Sequence, residues 1–335
     1  MIMYIVSASV FGLALLLSGM KLMEVALRQW AGSRLPAALK RTTSTPFKGF
    51  LAGTFSSALM QSGTAVTVLT IGLVNSRLLP LGNSLGIILG TNVGTCLTTE
   101  LMSLRLHRYA LPLLAAAFAV WLWTALSVEM RALPSLPKRY TPPLRYGSAA
   151  LAGFGLLLFG FAVLQTIGPR LQSSGAFMDL MAHAESTPAW GLLGGAAITA
   201  AVHSSSAVIA MSMGLADAGV LSPTTGVAVM LGANVGTCFT GLLASLSGGR
   251  GGRFVALAQI VLNVAGALLF YPLRGALLVA ASWLAPGDPA AQIAHAQTLF
   301  NVACSLLALP VAYLWLRGEA SRAGDGGKRA NPPAA

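Results

Sequence analysis

The sequence predicts an all-α polytopic membrane protein. It has two inverted repeats, each with a re-entrant hairpin and a broken transmembrane helix, then a C-terminal span. Three observations carry this reading. First, 55% of the 335 residues are hydrophobic and only 9% are charged, with a mean hydropathy of +0.74. A soluble domain carries about 25% charge, so this chain cannot cover a water-facing surface. Second, its apolar runs are about 20 residues long and apolar all round, which fits membrane helices rather than the ten-residue alternation of barrel strands. Third, the chain repeats itself about 142 residues on. Gly90-Thr91-Asn92-Val93-Gly94-Thr95-Cys96 returns as Gly232-Ala233-Asn234-Val235-Gly236-Thr237-Cys238, and Gln61-Ser62-Gly63-Thr64 returns as His203-Ser204-Ser205-Ser206. Paired polar, helix-breaking clusters in two halves mark transporters built from repeats.

Repeat 1 covers 1–146. It opens with a span at 4–23, which lacks the basic leading region of a cleaved signal peptide. The segment 49–76 is about 28 residues long with a polar cluster at mid-length. One helix of that length would reach about 42 Å, whereas two arms of about 12 residues each reach the bilayer centre. It therefore reads as a hairpin with its tip at Gln61–Thr64. The span at 81–104 carries the Gly-x-Asn-Val-Gly-Thr motif and reads as broken there. The competing reading is a small-residue packing face, because Gly90 and Gly94 stand four apart. A span at 109–128 and a basic loop complete the repeat.

Repeat 2 covers 147–273, with a span at 147–168, a hairpin at 188–214, a broken span at 222–247 and a span at 254–272. The C-terminal segment is 274–317. Leu273–Leu284 is too short for an ordinary span and reads as an interfacial or half-buried helix; a last span follows at 293–316. The Gly-, Pro- and charge-rich tail at 318–335 reads as disordered.

The net charge of +12 invites nucleic acid, but the loops explain it better. With the amino terminus outside and the carboxy terminus cytoplasmic, only Arg105, Arg108, Arg170 and Arg274 of the 21 Lys and Arg fall outside. That is the positive-inside pattern. An odd number of spans separates the hairpins, so the repeats are inverted. Cys96, Cys238 and Cys304 lie inside apolar segments and read as packing residues rather than a disulfide or metal site.

The tips carry the chemistry. Amino-terminal ends of half-helices present free N–H groups that suit an anion, and Ser62, Thr64, Ser204, Ser205 and Ser206 add hydroxyls. Gln61, Asn92, Thr95, Asn234 and Thr237 offer neutral oxygens suited to a hard monovalent cation. No Lys or Arg occurs in 49–76, 81–104 or 189–249. An anion buried there lacks a fixed cation, so a coupling cation must enter with it, or His203 must be protonated. Among the isolated titratable residues, Glu100 is either a buried functional carboxylate or an interfacial one. Asp217 reads as a solvated cap, and Glu24 beside Lys21 as interfacial. Asn263 and Asn301 lie mid-span and suit bonds between helices.

The paired tips, the paired Gly-x-Asn-Val-Gly-Thr motifs and the late Thr298-Leu299-Phe300-Asn301 run resemble the type II sodium/phosphate cotransporter family over about residues 10–310. The resemblance implies a sodium-coupled transporter of inorganic phosphate working by alternating access in a bacterial inner membrane. It makes Ser62, Gly63, Thr64, Ser204, Ser205 and Ser206 the substrate region. Sodium falls to Gln61, Asn92, Thr95, Asn234 and Thr237, and a proton or substrate contact to His203. Import is expected, with export or another anion such as sulfate or a carboxylate as alternatives. No cofactor beyond the coupling ion is implied, and the partners are phosphate, sodium and the bilayer. Two positions depart from the family: the first tip reads Gln-Ser-Gly-Thr, and the second begins with His203. Many bacterial relatives carry a cytoplasmic regulator-like helical domain after the last span, and this sequence shows none. An intramembrane serine hydrolase would need a base aimed at its serine, which adjacent residues such as His203 and Ser204 do not provide. An enzyme is not expected.

Overall fold

The computed structural model describes residues 2–32, 34–130, 137, 139–246 and 249–329, which are helical almost throughout, with no strand among them. Seven stretches are long and apolar enough to cross a bilayer: Met3–Ala31, Leu81–Ser103, Leu106–Val128, Thr141–Gln172, Pro223–Leu246, Arg250–Phe270 and Pro289–Gly318. They coincide with the seven runs expected from the sequence. The chain is an all-α polytopic membrane protein.

The first half comprises α1 (Ile2–Ala31), α2 (Arg34–Thr42), α3 (Pro46–Met60), α4 (Gly63–Asn75), α5 (Leu81–Ser103), a 3-10 turn at Leu106–Tyr109 and α6 (Ala110–Val128). The second comprises α7 (Thr141–Gln165), α8 (Gly168–Gln172), α9 (Gly175–Ser186), α10 (Ala189–Val202), α11 (Ser205–Asp217), α12 (Pro223–Leu246) and α13 (Arg250–Phe270). Then come α14 (Arg274–Leu284) and α15 (Pro289–Arg329). The basic loop expected before α7 falls largely at 131–136 and 138, outside the described residues.

The hairpins are α3–α4 and α10–α11, with arms of 13 to 15 residues. Such arms reach about 20 Å, short of the roughly 30 Å hydrocarbon core. The two tips match atom for atom. Gln61 (φ 53°) and His203 (φ 58°) end the first arms in the left-handed region, their N–H groups bonded to Ser57 O and Thr199 O. Ser62 and Ser204 are extended and cap the second arms, each accepting a 3.2 Å bond from the N–H of Ala65 or Ala207. A non-glycine residue in the left-handed region costs roughly 1 kcal/mol or more. Both tips carry that cost at the same position.

Each first arm packs on its motif helix, α3 on α5 and α10 on α12, main chain against main chain. A Cβ on Gly90 would fall well inside 3.0 Å of Phe50 O, and one on Gly232 likewise of Leu192 O. The same holds for Gly94 against Thr54 O and Gly236 against Ala196 O, and for Gly53 against Ile87 O and Gly195 against Val229 O. This corrects one expectation. α5 and α12 are not broken at Gly-x-Asn-Val-Gly-Thr but run as continuous α-helices of 23 and 24 residues. The glycines, each costing about 1 kcal/mol in a helix, serve close helix approach, the small-residue packing described for membrane helices.

α1 and α7 cross antiparallel through two glycine pairs: Gly12 lies against Gly160, and Gly19 against Gly153. α1 is also longer than the 4–23 run, so Lys21 and Glu24 sit within it rather than at its end. α13 runs antiparallel to α15, with Phe254 on Trp315 (4.9 Å between ring centroids), Gly266 beside Cys304, and Phe270 on Phe300 (5.4 Å). α14 is a half-buried helix: Leu277 and Ala281 are buried while Val279 and Trp283 are exposed. A second correction concerns the tail. α15 continues to Arg329, past the expected end at 317; 330–335 lie outside the described residues.

Candidate functional site

Both tips, both motif helices and α1 converge on one cavity of about 430 Å³. All the residues assigned from the sequence to substrate, sodium or proton line it: Gln61, Ser62, Gly63 and Thr64 from the first tip, His203, Ser204, Ser205 and Ser206 from the second, and Asn92, Thr95, Asn234 and Thr237 from the motif helices. Packing explains the glycine of the first tip. A Cβ on Gly63 would stand 2.7 Å from Thr95 Cγ2, so a serine where the second tip has Ser205 would force Thr95 to shift.

The cavity polar groups divide by what they have left to offer. Ser62 and Ser204 oxygens accept the capping bonds; the Ser62 hydroxyl hydrogen is left to donate, while that of Ser204 turns to the thioether of Met20 (3.8 Å), a weak acceptor that an anion could replace. The free N–H groups of the first turns of α4 and α11 add further donors. The motif residues are biased the other way. Thr95 donates to Asn92 O (2.8 Å) and Thr237 to Ala233 O (3.0 Å), so their oxygens keep only acceptor capacity. Asn92 Nδ2 donates to Asn263 Oδ1 (2.8 Å), and Asn234 Nδ2 to Met230 O (2.9 Å). Neither Asn92 Oδ1 nor Asn234 Oδ1 has a protein donor among the described residues. Gln61 is more fully engaged: its Nε2 donates to Ala58 O, and its Oε1 accepts from Thr98 Oγ1 at 2.8 Å. His203 stacks on Phe239 (6.0 Å between centroids), with Nδ1 3.3 Å from Thr240 Oγ1.

The structure adds residues that the sequence reading left out of the site. Lys21, Glu24, Gln259 and Asn263 also line the cavity. Lys21 Nζ and a Glu24 carboxylate oxygen are 3.2 Å apart. The cavity thus has a cation, although the hairpins and motif helices supply none. It comes with its own carboxylate, so the pair adds no net charge. The signal was the i, i+3 Lys–Glu pair on the first apolar run, which was assigned to the interface.

A second duplication also escaped notice. Gln259-Ile260-Val261-Leu262-Asn263 on α13 and Gln297-Thr298-Leu299-Phe300-Asn301 on α15 repeat one Gln-x-x-x-Asn pattern. Asn263 Nδ2 donates to Cys238 Sγ (3.4 Å), and Asn301 Nδ2 to Cys96 Sγ (3.2 Å). The thiols approach Gln259 O (3.6 Å) and Gln297 O (3.8 Å). α15 thus does for α5 what α13 does for α12. The halves then differ. Gln297 Oε1 accepts from Thr99 Oγ1, and Ser57 Oγ donates to Thr91 O. Their counterparts Gln259 Oε1 and Thr199 Oγ1 are buried without a partner among the described residues: Gly241 stands where Thr99 would be, and Ala233 O, the counterpart of Thr91 O, accepts from Thr237 instead.

Two other titratable residues gain partners. Asp217 is exposed at the end of α11, as a solvated residue should be, but it also pairs with Arg105 (3.2 Å), which in turn pairs with Asp288 (3.0 Å), and it accepts from Gln165 (2.9 Å). Glu100 lies outside the cavity. It pairs with His295 Nδ1 at 2.9 Å and accepts a short hydrogen bond from Thr298.

Seven spanning helices around a polar cavity closed by paired hairpins define a membrane transporter. The Na+/Pi-cotransporter family profile matches residues 15–166 and 156–281, one stretch for each half, and the chain belongs to that family. A Bacillus subtilis (strain 168) relative, "Uncharacterized protein YqeW", is 32% identical over 301 residues, covering 90% of this chain and 92% of its own length. "Putative inorganic phosphate export protein YjbB" of Escherichia coli (strain K12) is 26% identical over 260 residues, 77% of this chain and 45% of its own. The protein of that name in Salmonella typhimurium is 26% identical over 267 residues, again 77% and 45%. This chain spans just under half the length of the two YjbB proteins. No solved structure matches. Family membership supports phosphate transport.

Proposed function

We propose that the protein carries inorganic phosphate across the bilayer, coupled to sodium, by alternating access. The observation that carries this is the convergence of both hairpin tips and both motif helices on one cavity, donors on the tips and acceptors on the motif helices. Phosphate takes the tip region of Ser62, Gly63, Thr64, Ser204, Ser205 and Ser206, facing two helix amino termini. Sodium takes the acceptor oxygens of Asn92, Asn234, Thr95 and Thr237, with Gln61 contributing at the first tip. His203 is a proton or substrate contact.

The electrostatic need for a cation survives the discovery of Lys21, because Glu24 cancels its charge at 3.2 Å. Burying a phosphate against dipoles and a neutral ion pair is costly, and sodium entering with it offsets that cost. Each net positive charge moved inward along the potential contributes about 2.3 kcal/mol per 100 mV. The two halves act as inverted repeats in a bacterial inner membrane, with the amino terminus outside and the carboxy terminus in the cytoplasm. The matched tips and the antiparallel crossing of α1 and α7 support this reading.

Import is the first reading of direction. Export is the second, favoured by the names of the YjbB relatives. Radiolabelled phosphate flux in liposomes, with sodium gradients imposed in either direction, tests both. Flux that follows the sodium gradient supports the proposal. Equal flux with sodium, potassium or no gradient would reject sodium coupling.

A further inference from the structure

A second concavity, a groove of about 890 Å³, lies between the end of α1, α2 and the first hairpin arm α3. On α3 its wall is Lys48, Leu51, Ala52, Phe55, Ser56 and Leu59, one stripe at helical spacing. From Lys48 to Leu59 the stripe covers about 16 Å along the axis, close to the roughly 15 Å half-thickness of the hydrocarbon core. Leu51 and Phe55 are exposed, at 50% and 68%. α2 closes the groove with Leu35 and Leu39, one turn apart and both buried, while its Arg34 and Arg41 line the groove and remain exposed. Trp30 of α1 completes the wall. No lining residue is acidic, and among the described residues Arg34, Arg41 and Lys48 have no acidic partner.

The chemistry is divided along the groove. Its cations come from α2 and the first turn of α3, and its remaining length is a one-leaflet track of Leu, Ala and Phe. A free phosphate would find donors at one end only, with apolar surface along the rest. A molecule with an anionic head and a hydrocarbon chain satisfies both parts, as basic pockets between membrane helices do for acidic headgroups.

We propose that this groove is a binding site for an anionic phospholipid, its phosphate held by Arg34, Arg41 and Lys48 and one acyl chain lying along Leu51, Phe55 and Leu59. Leu59 precedes the tip residue Gln61 by two positions, so the end of the acyl chain packs against the arm that carries the first tip. Lipid occupancy steadies that arm, and the lipid acts on the central cavity through it.

The test uses the full chain and reads binding directly, so it stands apart from whether the protein moves phosphate. Native mass spectrometry of purified protein, equilibrated with phosphatidylglycerol and phosphatidylcholine in equal amounts, gives the preference. The expected result is selective retention of phosphatidylglycerol, lost in the triple variant Arg34→Gln, Arg41→Gln, Lys48→Gln. Each cation is worth about fivefold, so the preference should drop by more than tenfold. Ala52→Trp fills the apolar track and should expel the lipid with all three charges in place. An unchanged preference in the triple variant overturns the proposal. Displacement of the lipid by millimolar inorganic phosphate also overturns it, since that marks a free-anion site.

Discussion

Gln259 Oε1 lies 3.5 Å from the point where a Cβ on Gly241 would stand, and no donor reaches it among the described residues. The equivalent oxygen, Gln297 Oε1, is 2.6 Å from Thr99 Oγ1. One missing side chain leaves a buried amide oxygen open in the wall of the cavity.

Gly241→Thr should close that gap by supplying the hydroxyl the other half already has. The space is there, because nothing else lies within 4 Å of the built Cβ. Satisfying that buried acceptor should stabilise the fold by about 0.5–1.5 kcal/mol, read as a higher thermal unfolding midpoint in detergent. Gly241→Ala fills the space without the hydroxyl and should lack that hydrogen-bond gain. Equal effects of Thr and Ala would trace the change to bulk alone.

The Lys21–Glu24 pair gives opposite predictions for its two members. Lys21→Gln removes the cavity cation and should raise the KM for phosphate. Glu24→Gln uncovers that cation and should lower it, by about severalfold for a partly screened charge. Phosphate concentration curves in liposomes measure both, and shifts in the same direction would sink the electrostatic account.

Packing glycines should separate sharply from neighbours that face open space. Gly195→Ala drives a Cβ into Val229 O, while Gly194→Ala meets nothing within 4 Å. The first should cost about 3 kcal/mol or more, at or above the usual range for overpacking, and the second almost nothing. Thermal unfolding in detergent, read side by side, decides it.

Arg105, just after α5, ties that helix end to Asp217 at the end of α11 and to Asp288 before α15. The hydrogen bond to Asp288 and then its charge push the Arg105 guanidinium above its ordinary value, with Asp217 adding to this and burial opposing it. A raised basic group stabilises the fold at every pH below its unfolded value. That contribution is lost only as pH climbs past the folded value. This clasp should therefore be flat across neutral pH. The pairs are half exposed, so Arg105→Gln should cost about 1 kcal/mol or less per pair, and the loss should shrink in high salt. A larger effect around neutrality would mean that another group titrates there.

His203 stands where the first tip has Gln61. His203→Gln should flatten the pH dependence of transport near neutrality. An identical profile in the variant removes His203 as the sensor.

Much of this was legible in the sequence because the duplication is local. The tips and the Gly-x-Asn-Val-Gly-Thr motifs are short, polar and set in apolar surroundings, so they stand out, and all of them line the cavity. The misread features depend on tertiary contact. Gly90 and Gly94 look like helix breakers until Phe50 and Thr54 are seen against them. Lys21 and Glu24 look interfacial until α1 proves to run to Ala31. The Gln-x-x-x-Asn pair on α13 and α15 is separated by only 38 residues, outside the main repeat offset, and two polar residues in an apolar helix carry little signal alone. Gly241 became informative only once Gln259 was found opposite it.

The glycine contacts also have a mechanical consequence. A joint between main-chain atoms has no rotamers to change and no long side chains to slide, so α3 with α5, and α10 with α12, behave as two stiff struts. In the proposed alternating-access cycle, access from either side then does not come from bending a strut but from displacement of one strut against the other. Bonds such as Asn92 to Asn263, at 2.8 Å between the halves, are the fasteners that such a displacement would have to break and remake.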